Sequence, residues 1–374
     1  MLKSSIKLFK VFGIEIRLDY SWFIIFALLI YFFGFGYFPS VLPNLNKGYI
    51  AIITLLTVLL FFSSLLLHEL SHSIVAKRKG IPVSRISLFI FGGMSEIEKE
   101  PDKPMTELLM SIAGPAASFV LAIIFGLIWF FTRNFPPVNL PVGYLAIINL
   151  TLGIFNLLPG YPLDGGRVLR SILWKASNDL KKATFIASTV GRVIGFAMIA
   201  VGIYLIFTNN FLNGIWLAFI GWFLQSSAYA SYRQLIFDTS IKGVKVKEMM
   251  NENIVTVDKN VTLDKLVDDY FMKYRYGRFP IVENTAQNKL IGIVSIHDIK
   301  TIPKEEWVST KAADIVKPVE TNEIIDSDAE LSEALRKMIK FNLSHLVIIS
   351  DKQIRGMITK SDILQFIQIY SEIH

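Results

Sequence analysis

Between residues 20 and 232 the chain runs through six stretches in which apolar residues follow one another with hardly a charge between them: about 20–38, 49–75, 106–131, 142–158, 183–207 and 212–232. A helix that crosses a bilayer needs roughly 20 mostly apolar residues, so each stretch predicts a membrane span, and six spans put both termini on one side. The first reads as a retained anchor, because its apolar run is too long for a cleaved leader and has no small-residue cleavage site. Residues 81–97, IPVSRISLFIFGGMSEI, are apolar and rich in Ile and Phe but too short to span twice as helix. With Gly92-Gly93 as the break, they predict a strand pair dipping into the membrane. Such backbone survives at membrane depth only where protein or a watery cavity satisfies its polar groups, so the pair points to an interior cleft.

From residue 241 the pattern becomes that of a soluble protein, and it repeats. IGIVSIHDI at 291–299 echoes RGMITKSDI at 355–363, and the helical LDKLVDDYFMKY at 263–274 echoes LSEALRKMIKFN at 331–342. Each copy predicts helix, strand, strand, helix, with FPIV or HLVII as its first strand.

Composition fits this division. Of 374 residues 52% are hydrophobic and the mean hydropathy is +0.48, too apolar for a soluble protein. Cysteine is absent, which excludes disulfides, thiolate nucleophiles and cysteine-held metals. Any metal falls to His, Asp or Glu. The net charge of +7 is not laid out for nucleic acid, since the basic residues flank apolar spans instead of forming a patch among aromatics. Lys3, Lys7, Lys10 and Arg17 precede the first span, Lys77, Arg78, Lys79 and Arg85 follow the second, and Arg233, Lys242, Lys245 and Lys247 follow the sixth. The connections on the other side hold Lys47 and Arg133. By the positive-inside rule both termini are cytosolic.

Chemistry concentrates in the second span, at LLLHELSHSIVAKR. His68 and His72 are four apart, one helical turn, so both imidazoles project from one face and can share a zinc ion while Glu69 reaches a water on it. The alternative is a set of incidental polar groups hydrogen-bonded to neighbours, against which stands a mid-membrane carboxylate costing on the order of 2.5–3.5 kcal/mol. Zinc takes a third protein ligand and keeps a position for water. NLLPGYPLDGGRVLR, from Asn156, offers Asp164 in a segment whose prolines and glycines stop a regular helix. Read alone, Asp164 is equally well a solvated loop residue or a helix cap. Arg192 stands in the fifth span ten residues after Lys182, where a function and snorkelling to the cytosolic face are both open.

Taken together, HELSH in one span and NLLPGYPLDGG after a later one resemble the site-2 protease family of intramembrane zinc metalloproteases, and the repeated tail resembles a tandem pair of CBS domains. The resemblance implies a polytopic α-helical membrane protein of about six spans with a C-terminal α/β CBS pair: residues 1–232 as the metalloprotease domain, 233–243 as linker, and 244–303 and 308–374 as the two CBS domains. It implies one zinc per chain held by His68, His72 and Asp164, Glu69 as the catalytic carboxylate, and Asn156 beside the active site. Gly92-Gly93 resembles a hairpin that pairs with extended substrate, and SIAGPAAS at 111–118 another motif near the cleft, although Gly114-Pro115 reads as well as a packing or kinking site. In the tail, Ser295, Asp298, Thr359 and Asp362 are implied contacts for ATP, ADP or AMP, the other reading being helix caps in a ligand-free dimerisation module. Substrates are then single-span membrane proteins, cut as a zinc metalloendopeptidase cuts, in a multi-pass cell-membrane protein whose CBS domains are cytosolic and pair into a homodimer.

Two readings from other classes compete. A channel or transporter with a CBS tail would use intramembrane His and carboxylates for ions, but the few ionisable residues form a hydrolytic set and no paired half-helices are recognisable. An inactive protease-like scaffold would have lost the glutamate or a ligand, and this chain keeps them.

Overall fold

The computed structural model describes residues 5–373 except 91, 98, 209, 253, 285–288 and 351–352. It divides into two compact units, Met1–Arg233 and Gln234–His374.

The first unit opens with a hairpin absent from the expectations above, β1 (Ser5–Val11) and β2 (Ile14–Asp19), turned at Phe12 and Gly13 in left-handed backbone. Ile14, Ile16 and Leu18 alternate inward and are buried. Asp19 ends β2 and accepts from the Ser21 amide at 2.9 Å, capping α1 (Tyr20–Val41). α2 (Lys47–Arg78) follows, capped by Asn46 and closed by Lys77 and Arg78 in its last turn with Gly80 at φ +80° beyond it. The strand pair expected at 81–97 forms as β3 (Val83–Phe89) and β4 (Gly92–Ile97), antiparallel to each other. It is not isolated: β3 lies parallel to β2, giving one sheet in the order β1-β2-β3-β4 with β4 at an edge.

Four further helices complete the unit: α3 (Pro104–Phe131), α4 (Pro136–Asn156), α5 (Asp164–Ser177) and α6 (Leu180–Phe207). A seventh, α7 (Phe211–Ile241), starts in the first unit and ends in the second. α1, α2, α3, α4 and α6 are long and apolar enough to cross a membrane. The sixth expected stretch is helical as α7, but Asn213, Gln225, Ser226 and Ser227 dilute its apolar run, and it is not among those five. Ile52, Ile123, Leu127 and Phe131 expose 55–79% of their surface. Apolar side chains left open along whole helices belong against lipid.

Where helices touch closely, glycine makes room. A methyl on Gly195 would stand 2.7 Å from the Gly221 carbonyl, and one on Gly202 2.7 Å from that of Gly214, so α6 and α7 meet along a seam almost free of side chains.

The tail carries the expected repeat. β5 (Val257–Asp258) lies parallel to β6 (Arg278–Val282), which is antiparallel to β7 (Leu290–Ser295). β8 (Ile324–Ile325), β9 (His345–Ser350) and β10 (Gln353–Thr359) repeat that pattern. Each copy therefore has one short leading strand more than the sequence suggested. The cores are also interleaved: Val246, at the start of the first copy, packs with Leu331, Leu335 and Ile348 of the second, while Ala312, at the start of the second, packs with Leu263 and Phe279 of the first.

Candidate metal centre

α2 sets the first two groups one turn apart. His68 is 3% exposed. Its Nε2 lies 3.3 Å from Nε2 of His72, and the two rings are 5.0 Å apart, centre to centre. Asp164 comes from the opposite side on the first residue of α5, and its Oδ2 stands 3.2 Å from both Nε2 atoms. Backbone proximity delivers it there. A methyl on Gly165 would lie 2.2 Å from the Leu157 carbonyl oxygen, one on Gly166 2.3 Å from the Tyr161 nitrogen, and one on Gly191 of α6 2.2 Å from the Tyr161 carbonyl. The Tyr161 amide also donates to the Ala187 carbonyl at 3.2 Å, so the 159–164 loop is folded on itself and seated on α6.

α3 holds the far nitrogen of each ring. His72 Nδ1 is 2.6 Å from the Met110 carbonyl, which can only accept, so in the neutral ring Nδ1 carries the proton and Nε2 is left with a lone pair. His68 Nδ1 is 2.8 Å from Ser118 Oγ, a hydroxyl that can accept from it or donate to it. With the ring neutral, the lone-pair nitrogen of His72 faces a carboxylate oxygen, a repulsive juxtaposition unless a cation lies between them. Zinc bonded at 2.0–2.1 Å in a tetrahedron separates its ligand atoms by about 3.3 Å, which matches the observed 3.2–3.3 Å edges. Nδ1–H bound to a carbonyl or hydroxyl is the usual support of a zinc-binding imidazole. The donor set fits that ion in number, type and spacing.

Glu69 is turned to β4. Ser95 Oγ donates to its Oε2 at 2.9 Å, and Ser73 Oγ donates to Ser95 at 3.1 Å. Gly93 clears its stem, since a methyl there would come 2.4 Å from Glu69 Cγ. Gly114 clears the space at the two ring nitrogens in the same way: a methyl would fall 2.1 Å from His72 Nε2 and 2.6 Å from His68 Nε2. SIAGPAAS therefore contributes both the space at Gly114 and the hydroxyl of Ser118.

A buried ion pair ties the two supporting helices together. Arg170 of α5 pairs with Glu107 of α3, one turn before Met110, both about 1–3% exposed, and the guanidinium lies 5.1 Å from the Tyr161 ring. Nothing in the sequence singled out Glu107, Ser95 or Met110. Asn156 is half-buried, and its amide donates to the Leu152 carbonyl at 3.0 Å, back along its own helix.

In the tail, the four expected nucleotide contacts divide. Thr359 and Asp362 line a cavity of about 620 Å³ together with Arg275, Tyr276, Arg278 and His345; Ser295 and Asp298 do not. Both pairs cap helices. The Ser295 amide donates to Asp298 Oδ2 at 2.9 Å and the Thr359 amide to Asp362 Oδ2 at 2.9 Å. Asp298 is also paired with Lys317.

Known proteins bear on both units. The model of peptidase family M50 matches residues 56–139 and 134–202, and that of the CBS domain matches 246–305 and 312–369. A protein named as a zinc metalloprotease in Synechocystis is 32% identical over 373 residues, 98% of this chain and 96% of that one. A zinc metalloprotease of Methanocaldococcus jannaschii is 33% identical over 369 residues, again 98% and 96%. The solved site-2 protease of the same archaeon is 31% identical, covering 60% of this chain and 94% of that one with a TM-score of 0.41.

Proposed function

The chain belongs to peptidase family M50, the site-2 proteases, and we propose that its zinc is held by His68, His72 and Asp164 while Glu69 moves the proton in peptide hydrolysis. It is a zinc metalloendopeptidase in a membrane-spanning protein with two CBS domains. The observation that carries the site assignment is the convergence of two imidazole nitrogens and one carboxylate oxygen within 3.2–3.3 Å, with the Met110 carbonyl engaging the far nitrogen of His72.

Zinc in such a site polarises a carbonyl and brings a water to a pKa near 7. Glu69 then takes a proton from a water in the cleft and returns it to the departing amine, with Ser95 holding the carboxylate in place. β4, a sheet edge beside Glu69, has the free backbone groups to pair with an extended segment, so a substrate helix would have to unwind before it could be cut. Single-span membrane proteins with weakened helices meet that demand. His68 lies nine residues before Lys77, roughly 14 Å along the helix, and by the distribution of Lys and Arg the near side is cytosolic, with both termini and the tail. The test is cleavage of a tagged single-span protein by the purified chain, with zinc measured in parallel. Stripping with chelator should stop cleavage and zinc should restore it; activity that persists without zinc defeats the assignment.

For the tail, the cavity with Arg275, Arg278, Tyr276, Thr359 and Asp362 supports an adenine nucleotide: cations for phosphates, a ring to stack, a carboxylate for ribose hydroxyls. Ser295 and Asp298 remain proposed contacts that lie outside this cavity. Titration of the full chain with ATP, ADP and AMP by calorimetry decides it, and binding by none of them removes it. Sedimentation of the same samples tests the homodimer implied by the CBS pair.

A further inference from the structure

Arg192 takes no part in the metal centre, yet it is an arginine within a membrane-spanning helix. Its Nε is buried without a hydrogen-bond partner, and among the described residues no carboxylate pairs with it. Its guanidinium carbon lies 5.6 Å from the centre of the Tyr229 ring, and that of Arg233 lies 5.8 Å from the same ring. Two cations thus share one aromatic platform, and among the described residues neither has a counter-charge. Tyr229 is 46% exposed, and Val193 and Phe196, flanking Arg192 on α6, are 62% and 53% exposed, so the platform opens sideways toward lipid.

The level of the cluster identifies what it meets. α6 is long and apolar enough to cross the membrane, and α7 turns back from its end and packs closely along it at Gly195–Gly221 and Gly202–Gly214, so depth along both is counted from their connection. At 1.5 Å per residue Arg192 lies about 22 Å, Tyr229 about 27 Å and Arg233 about 33 Å from it. The hydrocarbon layer is about 30 Å thick. The platform therefore sits at the opposite boundary, with Arg192 just inside the acyl layer and Arg233 among headgroups. At that depth the abundant acceptor for planar guanidinium donors is phosphate.

We propose that Arg192, Tyr229 and Arg233 form a binding site for the phosphate of an anionic phospholipid. The paired charge favours a headgroup with net negative charge over a zwitterionic one. The site also adjoins the catalytic unit: Gly191, next to Arg192, bears on Tyr161 of the loop that ends in Asp164, so a bound headgroup would pin the turn of α6 on which that loop rests.

The experiment uses the full chain in nanodiscs of phosphatidylcholine and phosphatidylglycerol in equal parts, with retained lipid read by native mass spectrometry. Wild type should keep phosphatidylglycerol through delipidation. Arg192→Gln should lower that retention about tenfold or more, Arg192→Lys should fall between, and Arg233→Gln should weaken it less. Should Arg192→Gln fail to fold by thermal unfolding, Tyr229→Leu removes the platform from an exposed position and is expected to show the same loss. Equal retention by wild type and the folded variants would overturn the site. Inorganic phosphate distinguishes the sources: failure to bind in discs of phosphatidylcholine alone supports the headgroup, and displacement of phosphatidylglycerol from the mixed discs by millimolar phosphate would give the site to the free ion and overturn the lipid proposal.

Discussion

In the membrane unit two imidazole nitrogens and a carboxylate oxygen face one another across 3.2–3.3 Å, whereas in the tail each amide at the start of the repeated motif faces its own carboxylate three residues on. The residue types overlap: Asp appears in both, with Ser alongside. What differs is whether the protein completes its own hydrogen bonds. Ser295 and Asp298 answer each other and start a helix, as Thr359 and Asp362 do, so neither pair needs a ligand to complete its hydrogen bonds. His72 and Asp164 cannot answer each other, because the Met110 carbonyl has already claimed the only proton of a neutral His72 ring. A cluster of acceptors with its donors assigned elsewhere is therefore a sharper sign of chemistry than a cluster of polar residues.

Removing the proposed proton carrier should break the comparison on its active side most severely. Glu69→Gln should lower cleavage about 10² to 10⁴-fold while zinc content stays near wild type, since no ligand is lost. Measured turnover equal to wild type would sink the mechanism. Next, Gly114→Ala puts a methyl 2.1 Å from His72 Nε2. We expect roughly 100-fold less activity with zinc depleted, and elemental analysis after dialysis separates this from the glutamate variant. Ser118→Ala deletes only the partner of His68 Nδ1 and should weaken zinc about 10- to 100-fold in a competition with chelator.

The tail should respond to pH where the membrane site responds to metal. His345 is 5% exposed with Nε2 unpartnered, and burial followed by the nearby Arg278 pushes its pKa down to about 4. The folded state therefore resists a proton that the unfolded state accepts near pH 6.5. Stability contributed by the neutral imidazole is complete above pH 6.5 and declines as pH falls toward 4, by on the order of 3 kcal/mol. Hydrogen exchange of the tail in the intact protein should show this slope, and His345→Gln should flatten it. The smallest effect is expected from Thr359→Ala, which removes the hydroxyl that receives the Asp362 amide at 3.2 Å: about 1 kcal/mol of tail stability, with cleavage in the absence of nucleotide unchanged. A large loss of basal cleavage would mean the cap does more than start a helix.

Only part of the proposed ligand set was legible from local rules. Four residues make one turn, so His68 and His72 share a face, whereas Asp164, in a Pro- and Gly-rich segment that reads equally as loop or cap, entered through the family resemblance. The supporting groups were not legible one by one. Met110 acts through its carbonyl, which every residue has, and Ser95 reaches Glu69 only after β4 folds back on α2. SIAGPAAS was visible as a motif, but whether Gly114 is packing or clearance is decided by what stands opposite it. The N-terminal hairpin escaped because its charges read first as topology signals. The alternation of Ile14, Ile16 and Leu18 was there to be seen. The short strands β5 and β8, of two residues each, are below what periodicity can detect.

The seam between α6 and α7 has a consequence for how this chain can vary. Gly195 meets Gly221 and Gly202 meets Gly214 with backbone against backbone. A survey of every single substitution should trace that seam as a line of intolerance with no chemistry on it. Alanine, which elsewhere reports what a side chain contributes by subtracting it, would there add the one methyl that does not fit. Such a record marks the positions of the fold whose information lies in having nothing to lose, and a lineage that drifted at one of them would have to move a helix to recover.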